Sequence, residues 1–467
     1  MNRITKNKKV SNTVAKNNIL LASSFNKLKE NFNKNGINKI VQNLLCSDDL
    51  HKISEVREYM QSRNYNFSHV IEPVLSTTNQ GDSDRCWMFA VLNLIRHELI
   101  KNMNLPYDFE LSGNYISFYD KMEKCNHYLV KFMDCKVIED NISILSEGLS
   151  DGGNWMTCFH LIKKYGLMPK SCYSESINSF STDNVNSIIS TKLREFALLL
   201  MNEDKKKRPK LKDEMMEQIY QILSKMLGTP PCPDESFEWH YEPRINISEK
   251  LKIEQHRTIN DKYNILQNKK TIKITPMDFY KHYICHNLDD YLSFSHDPRK
   301  KYNKYYKFSH EDIVIGEKKL GCYNISIDEI SQLCINSILD NTPVHFECDA
   351  RQYLHKGAKL FDPKCFDYGV FFGITFDGLT KAETLKVHDS AANHAMLLIG
   401  VDLDENNKPI KWKVENSWGS ETNECSTARD YYTMSHEWFK KYVYNIIILK
   451  DHVGQHLCTQ YQKAEKK

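Results

Sequence analysis

The sequence TNQGDSDRCWMFAVL, residues 78–92, decides the fold of this chain. Its first half, from Asn79 to Asp84, is a cluster of turn-forming and helix-capping residues. Its second half is an apolar run that continues to Ile100. A capping cluster directly before an apolar run is typical of a helix N-terminus. We therefore predict a helix that begins at or near Cys86.

Cys86 is a candidate nucleophile because of this predicted position. The positive end of a helix dipole and the unsatisfied N–H groups there favour a thiolate over a thiol. Taken alone, a buried cysteine is more often structural than catalytic. A thiolate that attacks a carbonyl also needs a base beside it and a group that orients that base. The candidates for these two roles lie far downstream.

The last third of the chain has a strand-like pattern. Short apolar or alternating segments bounded by Gly, Asp and Asn predict strands, at Val344–Cys348, 394–401, 411–415 and 442–449. His394 introduces the second of these strands and Asn416 follows the third, so loops would expose both side chains. Each is a weak signal alone, because most histidines are structural and an Asn before Ser-x-Gly is usually part of a turn.

Helical periodicity dominates the earlier part of the chain. Apolar residues between Ile19 and Phe32 recur at helical spacing and predict a helix that opens the fold. Two amphipathic stretches, 189–200 and 215–226, predict a helical hairpin. Its basic connection, 205–210, is interpreted as a solvated turn. Helices early and strands late indicate an α+β protein.

Composition excludes several classes of protein. The 467 residues carry 63 Lys and Arg against 60 Asp and Glu, a net charge of +3, so no strong field for nucleic acid or membrane is expected. The longest apolar runs are shorter than the roughly 18 residues that a membrane helix needs. Fourteen cysteines without regular spacing and no secretory signal predict reduced thiols and a cytoplasmic location. Residues 1–18 are interpreted as a disordered basic leader, with an organelle transit peptide as the alternative.

The order of four short motifs carries a resemblance to a known family. Gln80, the pair Cys86-Trp87, Asn393-His394-Ala395 and Asn416-Ser417-Trp418-Gly419 occur in the order found in papain-like cysteine peptidases, which the chain resembles. His394 follows Cys86 by 308 residues, against roughly 130–150 in the simple members, so a large insertion is expected. The chain is most similar to the bleomycin hydrolase and aminopeptidase C group. This likeness runs from about residue 20 to 453, with matching stretches at 78–80, 85–87, 151–155, 164–166, 194–196, 275–280, 297–299, 414–419 and 437–439.

The resemblance implies a fold, an activity and an assembly. It implies a papain-like fold, with a helical half and a β-sheet half plus large helical insertions. It also implies a cytosolic cysteine aminopeptidase that forms a homohexamer and acts on peptides with a free amino end, through an acyl-enzyme intermediate. Neither a cofactor nor a metal is implied, and the possible ligands His282, Cys285 and His286 are interpreted as structural.

The resemblance also assigns roles to individual residues. Cys86 would be the nucleophile, His394 its ion-pair partner and acid, and Asn416 the group that orients the imidazole. Gln80 and the Cys86 N–H would donate to the tetrahedral oxyanion. The substrate-binding residues would be two glycines that pair with an extended substrate and an aromatic residue that covers the Asn-His bond, namely Gly152, Gly153 and Trp418.

Two departures from the family pattern stand out. The family carries Gly where this chain has Asp84, a carboxylate that would oppose ionisation of the thiol, and we expect Arg85 to offset that charge. In the family the C-terminal arm enters the cleft and its carboxylate meets the substrate ammonium. Residues 454–467 do not align with that arm and end in two lysines, so the exopeptidase restriction is the least secure part of the resemblance.

The predicted organisation has five parts. These are the leader 1–18, a helical half 19–180 with the nucleophile, a helical insertion 181–310, a β-rich half 311–453 with His394 and Asn416, and a tail 454–467. Two alternative functions stay open. One is an amidase or acyltransferase that uses the same Cys-His pair. The other is a hexameric nucleic-acid-binding protein with little peptidase activity, for which steep salt dependence would be expected.

Overall fold

The computed structural model describes residues 20–244, 269–284, 286–308, 313–376, 378–420 and 431–466. The predicted leader 1–18 and the side chains of Cys285 and Lys467 lie outside these ranges. The chain divides into two units. The smaller unit reaches to Arg63 and includes Lys364–Gly378, and the larger unit consists of Asn64–Pro363 and Leu379–Lys467.

The described residues form helices of very different lengths. In chain order they are α1 Ser24–Lys34, α2 Gly36–Ser47, α3 Leu50–Ser54, α4 Arg57–Gln61, α5 Cys86–Met103, α6 Gly113–Met133, α7 Ile142–Glu147, α8 Trp155–Tyr165, α9 Ile177–Phe180, α10 Asp183–Asn202, α11 Arg208–Leu227, α12 Pro276–Tyr283, α13 Ile327–Leu339, α14 Tyr368–Phe372, α15 Lys381–Lys386, α16 His436–Tyr442 and α17 Gln455–Glu465.

The strands of the larger unit form one large mixed sheet and one hairpin. The strands are β1 His69–Val70, β2 Phe237–Tyr241, β3 Lys270–Ile274, β4 Tyr291–Ser295, β5 Lys304–Lys307, β6 Gly321–Asn324, β7 Val344–Cys348, β8 Leu354–His355, β9 Leu360–Phe361, β10 His394–Leu403, β11 Pro409–Glu415, β12 Tyr432–Ser435 and β13 Val443–Leu449. In the described chain the large sheet has the order β5-β6-β4-β13-β7-β10-β11-β12-β9-β8, with β1 also paired to β10, and β2 pairs with β3.

Helix α5 is the central helix of the larger unit because it is apolar on nearly every side. Residues from Cys86 to Leu94 are all buried, and the helix packs against β10. A helix that is apolar all round must lie inside a core. The packing brings the first residue of α5 and the first residues of β10, where His394 lies, to the same region of the core.

The helical hairpin has a core of its own. Helices α10 and α11 pack against each other and against α6. Apolar side chains of all three helices, among them Phe118, Ile189 and Ile219, form a cluster separate from the main core. Tyr115 and Ile116, one helical turn before Phe118, belong to the main core instead. Helix α6 therefore joins the hairpin to the rest of the unit.

The α+β class and the predicted strands are confirmed. The predicted hairpin of 189–200 and 215–226 is confirmed by α10 and α11, and the helix that begins at Cys86 is confirmed by α5. The segment 181–310 was expected to be a helical insertion, but in its described part it contains β2 to β5 as well as α10, α11 and α12. The alternation of Leu292 and Phe294 with Ser293 and Ser295 is the strand signal for β4. Strand β4 lies within the large sheet.

Candidate active site

Two loops are joined beside the first turn of α5. The Gln80 N–H donates to the Ser417 carbonyl and the Gly419 N–H donates to the Thr78 carbonyl, each at 2.9 Å. Asn93 of α5 is hydrogen-bonded to both loops, since its Nδ2 donates to Thr78 Oγ1 at 2.9 Å and to Ser417 Oγ at 3.3 Å. The loop with Gln80 and the loop that follows Asn416 therefore lie side by side.

Cys86 is buried at the N-terminus of α5, and its thiol contacts the start of β10. The N–H groups of Ala395 and Trp87 point at the thiol and favour the thiolate. Burial acts in the opposite direction and is the larger effect, so that, with the charges of Asp84 and Glu347, it raises the pKa of Cys86 to about 11. The expectation of a thiolate in the resting site is therefore not met, because desolvation outweighs the helix N-terminus.

His394 is the first residue of β10 and is held by Asn416. Its Nε2 lies 2.8 Å from Asn416 Oδ1, which also accepts the Ser417 N–H at 2.8 Å. The Trp418 ring stacks on the imidazole with centroids 4.7 Å apart, and this ring is 38% exposed. Burial lowers the pKa of His394 to about 4 although the bond to Asn416 opposes the shift. With Nε2 engaged, Nδ1 is the ring nitrogen that remains for a partner.

The end of β11 is anchored by a buried ion-pair cluster that sequence analysis missed. Glu415, the residue before Asn416, accepts from Arg96 Nη2 at 3.0 Å and lies 2.7 Å from His97 Nε2. All three side chains are nearly or fully inaccessible to solvent. Burial alone would raise the pKa of Glu415, but His97 and Arg96 hold it below its usual value. The run Arg96-His97-Glu98 within the largely apolar helix was the available signal.

Gln80 is buried, and its side chain is fixed by its own loop. Its Nε2 donates to the Ser83 carbonyl at 2.5 Å. The Gln80 carbonyl accepts from Ser83 Oγ at 2.6 Å and from Arg85 Nη2 at 3.1 Å. Because a side-chain amide carries two N–H donors, one N–H of Gln80 is left for another acceptor.

Arg85 does not offset Asp84, contrary to the expectation from sequence. Its guanidinium is buried and pairs with Glu175, with Nη1 and Nη2 each 3.2 Å from Oε2. It also donates from Nε to Ser83 Oγ at 2.9 Å. The positive charge is therefore directed toward Glu175, and the Asp84 carboxylate adds to the effects that raise the pKa of Cys86.

The two glycines of the substrate-binding prediction have different surroundings. A Cβ on Gly153 would lie 2.5 Å from the Trp87 ring, so packing inside the protein requires this glycine. A Cβ on Gly152 would meet only Ser150 Oγ at 3.9 Å. Both glycines line a cavity of about 840 Å³. Gly152 is the position at which a substrate backbone could approach.

A second cavity lies on the other side of Asn154. Its volume is about 300 Å³, and its lining includes Trp155, Ala392 and Glu347. Ala392 lies two residues before His394, and Glu347 pairs with Ala395 across the sheet. The cavity therefore adjoins the region where α5 and β10 meet.

The described part of the C-terminal tail does not line either cavity. It forms α17, which packs on β5 and β6. Tyr461 is buried against Phe294 with ring centroids 5.5 Å apart, and its hydroxyl oxygen accepts the Ser293 N–H at 3.4 Å. Lys318 pairs with Glu465 at 2.6 Å.

Three other features singled out in the sequence have ordinary structural partners. Arg208 of the basic turn donates to the carbonyls of Met133, Met201 and Glu203. His282 Nδ1 lies 2.7 Å from the Asp278 carbonyl, and His286 lies 3.8 Å from Glu98.

Within the described ranges, no three His, Cys, Asp or Glu side chains form a group that could hold a metal ion. Among the helices that the structure describes, none is both long and apolar enough to cross a bilayer.

Known proteins are similar to this chain both in sequence and in structure. The model of the Peptidase C1-like family matches residues 19–467. Bleomycin hydrolase of Mus musculus is 32% identical over 441 residues, which cover 90% of each chain. Aminopeptidase C of Lactococcus lactis subsp. cremoris is 31% identical over 444 residues, 93% of this chain and 94% of the relative. The crystal structure of PepW from Lactobacillus rhamnosis HN001 matches with a TM-score of 0.84 and 28% identity, over 97% of both chains.

Proposed function

The chain belongs to the Peptidase C1-like family and is a cysteine aminopeptidase of papain-like α+β fold, and we propose that Cys86, His394 and Asn416 carry out its chemistry. The observation that supports this most is the double link at the start of β10. His394 bonds to Asn416 through Nε2, while the next residue, Ala395, directs its N–H at the Cys86 thiol. These two contacts support a base and a nucleophile that meet at the start of this strand.

The first half of the reaction forms an acyl-enzyme. Cys86 Sγ attacks the carbonyl carbon of the first peptide bond while its proton passes to His394 Nδ1. Because burial favours the neutral form of both groups, we place this proton transfer in the attack itself. The imidazolium that forms donates through Nε2 to Asn416, and its Nδ1 proton then goes to the leaving amine as the C–N bond breaks.

The tetrahedral oxyanion needs donors while it exists. The remaining N–H of the Gln80 side chain and the Cys86 backbone N–H are the proposed pair, because both belong to the loop and helix start that surround the thiol. Loss of one such donor typically lowers kcat by about 10²- to 10³-fold. In the second half of the reaction, His394 takes a proton from water, whose oxygen attacks the thioester and frees the thiol.

The proposal is tested by the hydrolysis of a leucyl amide of a fluorogenic amine. Cys86→Ala removes the nucleophile, and we expect kcat/KM to fall by about 10³-fold or more. The matched control is Cys46→Ala, which changes an exposed cysteine of the smaller unit and should leave the rate unchanged. A Cys86→Ala variant that keeps a tenth of the wild-type rate would refute the assignment. The same outcome would remove the alternative of an amidase or acyltransferase at this pair.

We also infer the homohexamer and the cytoplasmic location that the resemblance implies. The feature that supports an assembly is in the smaller unit, where α1 and α2 bury none of their residues. Apolar side chains on these helices are 41–63% exposed in the single chain, namely Phe25, Leu28, Phe32, Ile37, Ile40 and Leu44. Leu20 and Leu21, before the first helix, are also exposed. Exposed apolar side chains in this number on two neighbouring helices support an interface.

A further inference from the structure

The connection between helices α9 and α10 lies against the loop that carries Gln80. The Asp82 N–H donates to the Phe180 carbonyl at 2.8 Å, and the Asp82 carbonyl accepts the Thr182 N–H at 3.3 Å. Both polar groups of the Asp82 backbone are therefore bonded to this connection. The next residue, Ser83, supplies the carbonyl that accepts from Gln80 Nε2. The position of the Gln80 amide thus depends on the stretch of backbone that the connection holds.

The same connection is bonded to the loop with the two glycines of the substrate-binding prediction. Thr182 Oγ1 donates to Asp151 Oδ2, and Asp151 directly precedes Gly152. The Asp151 carbonyl accepts from Trp87 Nε1 at 2.8 Å, and Trp87 directly follows the nucleophile. Thr182 therefore links the loop before Cys86 to the glycine loop beside it.

The charge state of Asp151 decides the direction of its bond to Thr182. The Asp151 carboxylate lies 2.6 Å from Lys121 Nζ, and both side chains are almost wholly buried. Burial would raise the pKa of Asp151, but the Lys121 ammonium and side-chain hydrogen bonds lower it to about 2. The group is therefore ionised near neutral pH, and an ionised carboxylate has no proton to donate. The proton of the Thr182 hydroxyl must point at Asp151, which fixes the orientation of the threonine side chain.

Thr182 does not have the usual role of a threonine at its position in the chain. It is the N-cap residue of α10, where a threonine side chain commonly accepts from an N–H of the first helical turn. Among the described contacts, its side chain makes no capping hydrogen bond to this helix. The buried hydroxyl is directed to Asp151 instead. Such a departure from a local preference is expected at residues that serve a functional site.

We propose that Thr182 is a positioning residue, which holds the Gln80 amide at the distance from the Gly152 loop that the oxyanion requires. The inference rests on the proposed function, since it takes Gln80 as an oxyanion donor and Gly152 as the residue that faces the substrate. Thr182 acts on the reaction only through its neighbours. These are the Asp82 carbonyl in one loop and the Asp151 carboxylate in the other.

The test measures kcat and KM separately for the leucyl amide of a fluorogenic amine. Thr182→Val keeps the side-chain shape and the backbone N–H but removes the hydroxyl. We expect kcat to fall about tenfold with little change in KM, because a displaced oxyanion donor acts on the transition state. Thr182→Ser should keep kcat within about threefold of wild type, because the bond to Asp151 is retained. The matched control is Thr191→Val, which changes an exposed threonine of α10 and should leave kcat unchanged.

A double variant separates positioning from a purely structural role. In Gln80→Ala the donor is absent, so adding Thr182→Val should lower kcat by less than about twofold. A substitution that only reduced the number of folded molecules would lower kcat by the same factor in both backgrounds, and that outcome would overturn the inference. Unchanged kcat in Thr182→Val alone would overturn it as well. A rise in KM at constant kcat would also contradict it, because the hydroxyl would then serve only the Gly152 loop.

The outcomes also separate this inference from the proposed function. If Gln80→Ala lowers kcat and Thr182→Val does not, the oxyanion donor is supported and only the role of Thr182 is wrong. If Gln80→Ala leaves kcat unchanged, the proposed donor is wrong and the inference is refuted with it. Cys86→Ala must abolish the activity in either case, so its result bears on the nucleophile alone.

Discussion

The histidine side and the cysteine side of the active site are held in place by different interactions. On the histidine side, Glu415 with Arg96 and His97 lies wholly inside the core. On the cysteine side, the loop before Cys86 is held by Arg85, whose partner Glu175 is 11% exposed. The orientation of the base therefore depends on charges that cannot be removed without a large loss of stability. The loop with Gln80 depends on a buried guanidinium whose partner Glu175 is partly exposed, so this ion pair is less completely removed from water.

Removal of the carboxylate on the histidine side has the largest expected effect on stability. Glu415→Gln leaves the buried Arg96 without a negative partner, and breaking a buried pair in this way typically costs about 3–5 kcal/mol. We expect the free energy of unfolding, measured by urea titration, to fall by that amount. Glu217→Gln, on the exposed face of α11, is the control and should change it by less than about 0.5 kcal/mol. A loss below about 1 kcal/mol in Glu415→Gln would contradict the anchoring role.

Sequence patterns could predict the parts of the site that depend on local signals. The helix start at Cys86 and the strand that begins at His394 follow from capping residues and apolar periodicity, and both are confirmed. The partners that hold them could not be predicted. Arg85 and Glu175 are 90 residues apart, and Glu415 meets Arg96 across 319. Such pairs follow from the packing of the whole chain, which no short pattern contains.

Strand β7 shows the same limit. Val344–Cys348 was correctly predicted as a strand, yet its neighbours β10 and β13 were not predictable from it. Register decides which side chains share a face, since a shift by one residue moves each side chain to the opposite face.

The pKa of Cys86 shows a different limit of prediction from sequence. The dipole argument was sound for an exposed helix end, but the depth of burial is a tertiary property and has the larger effect.

Removal of the guanidinium on the cysteine side should affect catalysis more than binding. Arg85→Met keeps much of the side-chain volume but releases the Gln80 carbonyl, Ser83 Oγ and Glu175 together. We expect kcat to fall by about 10- to 100-fold with little change in KM, because a displaced oxyanion donor acts on the transition state. Arg85→Lys should restore part of kcat at most, since an ammonium group lacks the planar fork that meets three partners. A rise in KM at constant kcat would contradict this positioning role.

The smallest expected effect tests the charge that Arg85 leaves uncompensated. Asp84 raises the pKa of the Cys86 thiol, after the larger effect of burial. Asp84→Asn should therefore lower this pKa and increase the thiolate fraction at every pH below about 11. At pH 8 we expect iodoacetamide to alkylate Cys86 about two to five times faster than in wild type, because the thiolate is the reactive form. The difference should vanish as pH rises above the pKa, where both proteins are ionised. The matched control is Asp82→Asn, because Asp82 lies in the same loop but is not among the main causes of the raised pKa of Cys86. Equal acceleration in both variants would mean that a general change in net charge, rather than Asp84 itself, sets the reactivity of the thiol.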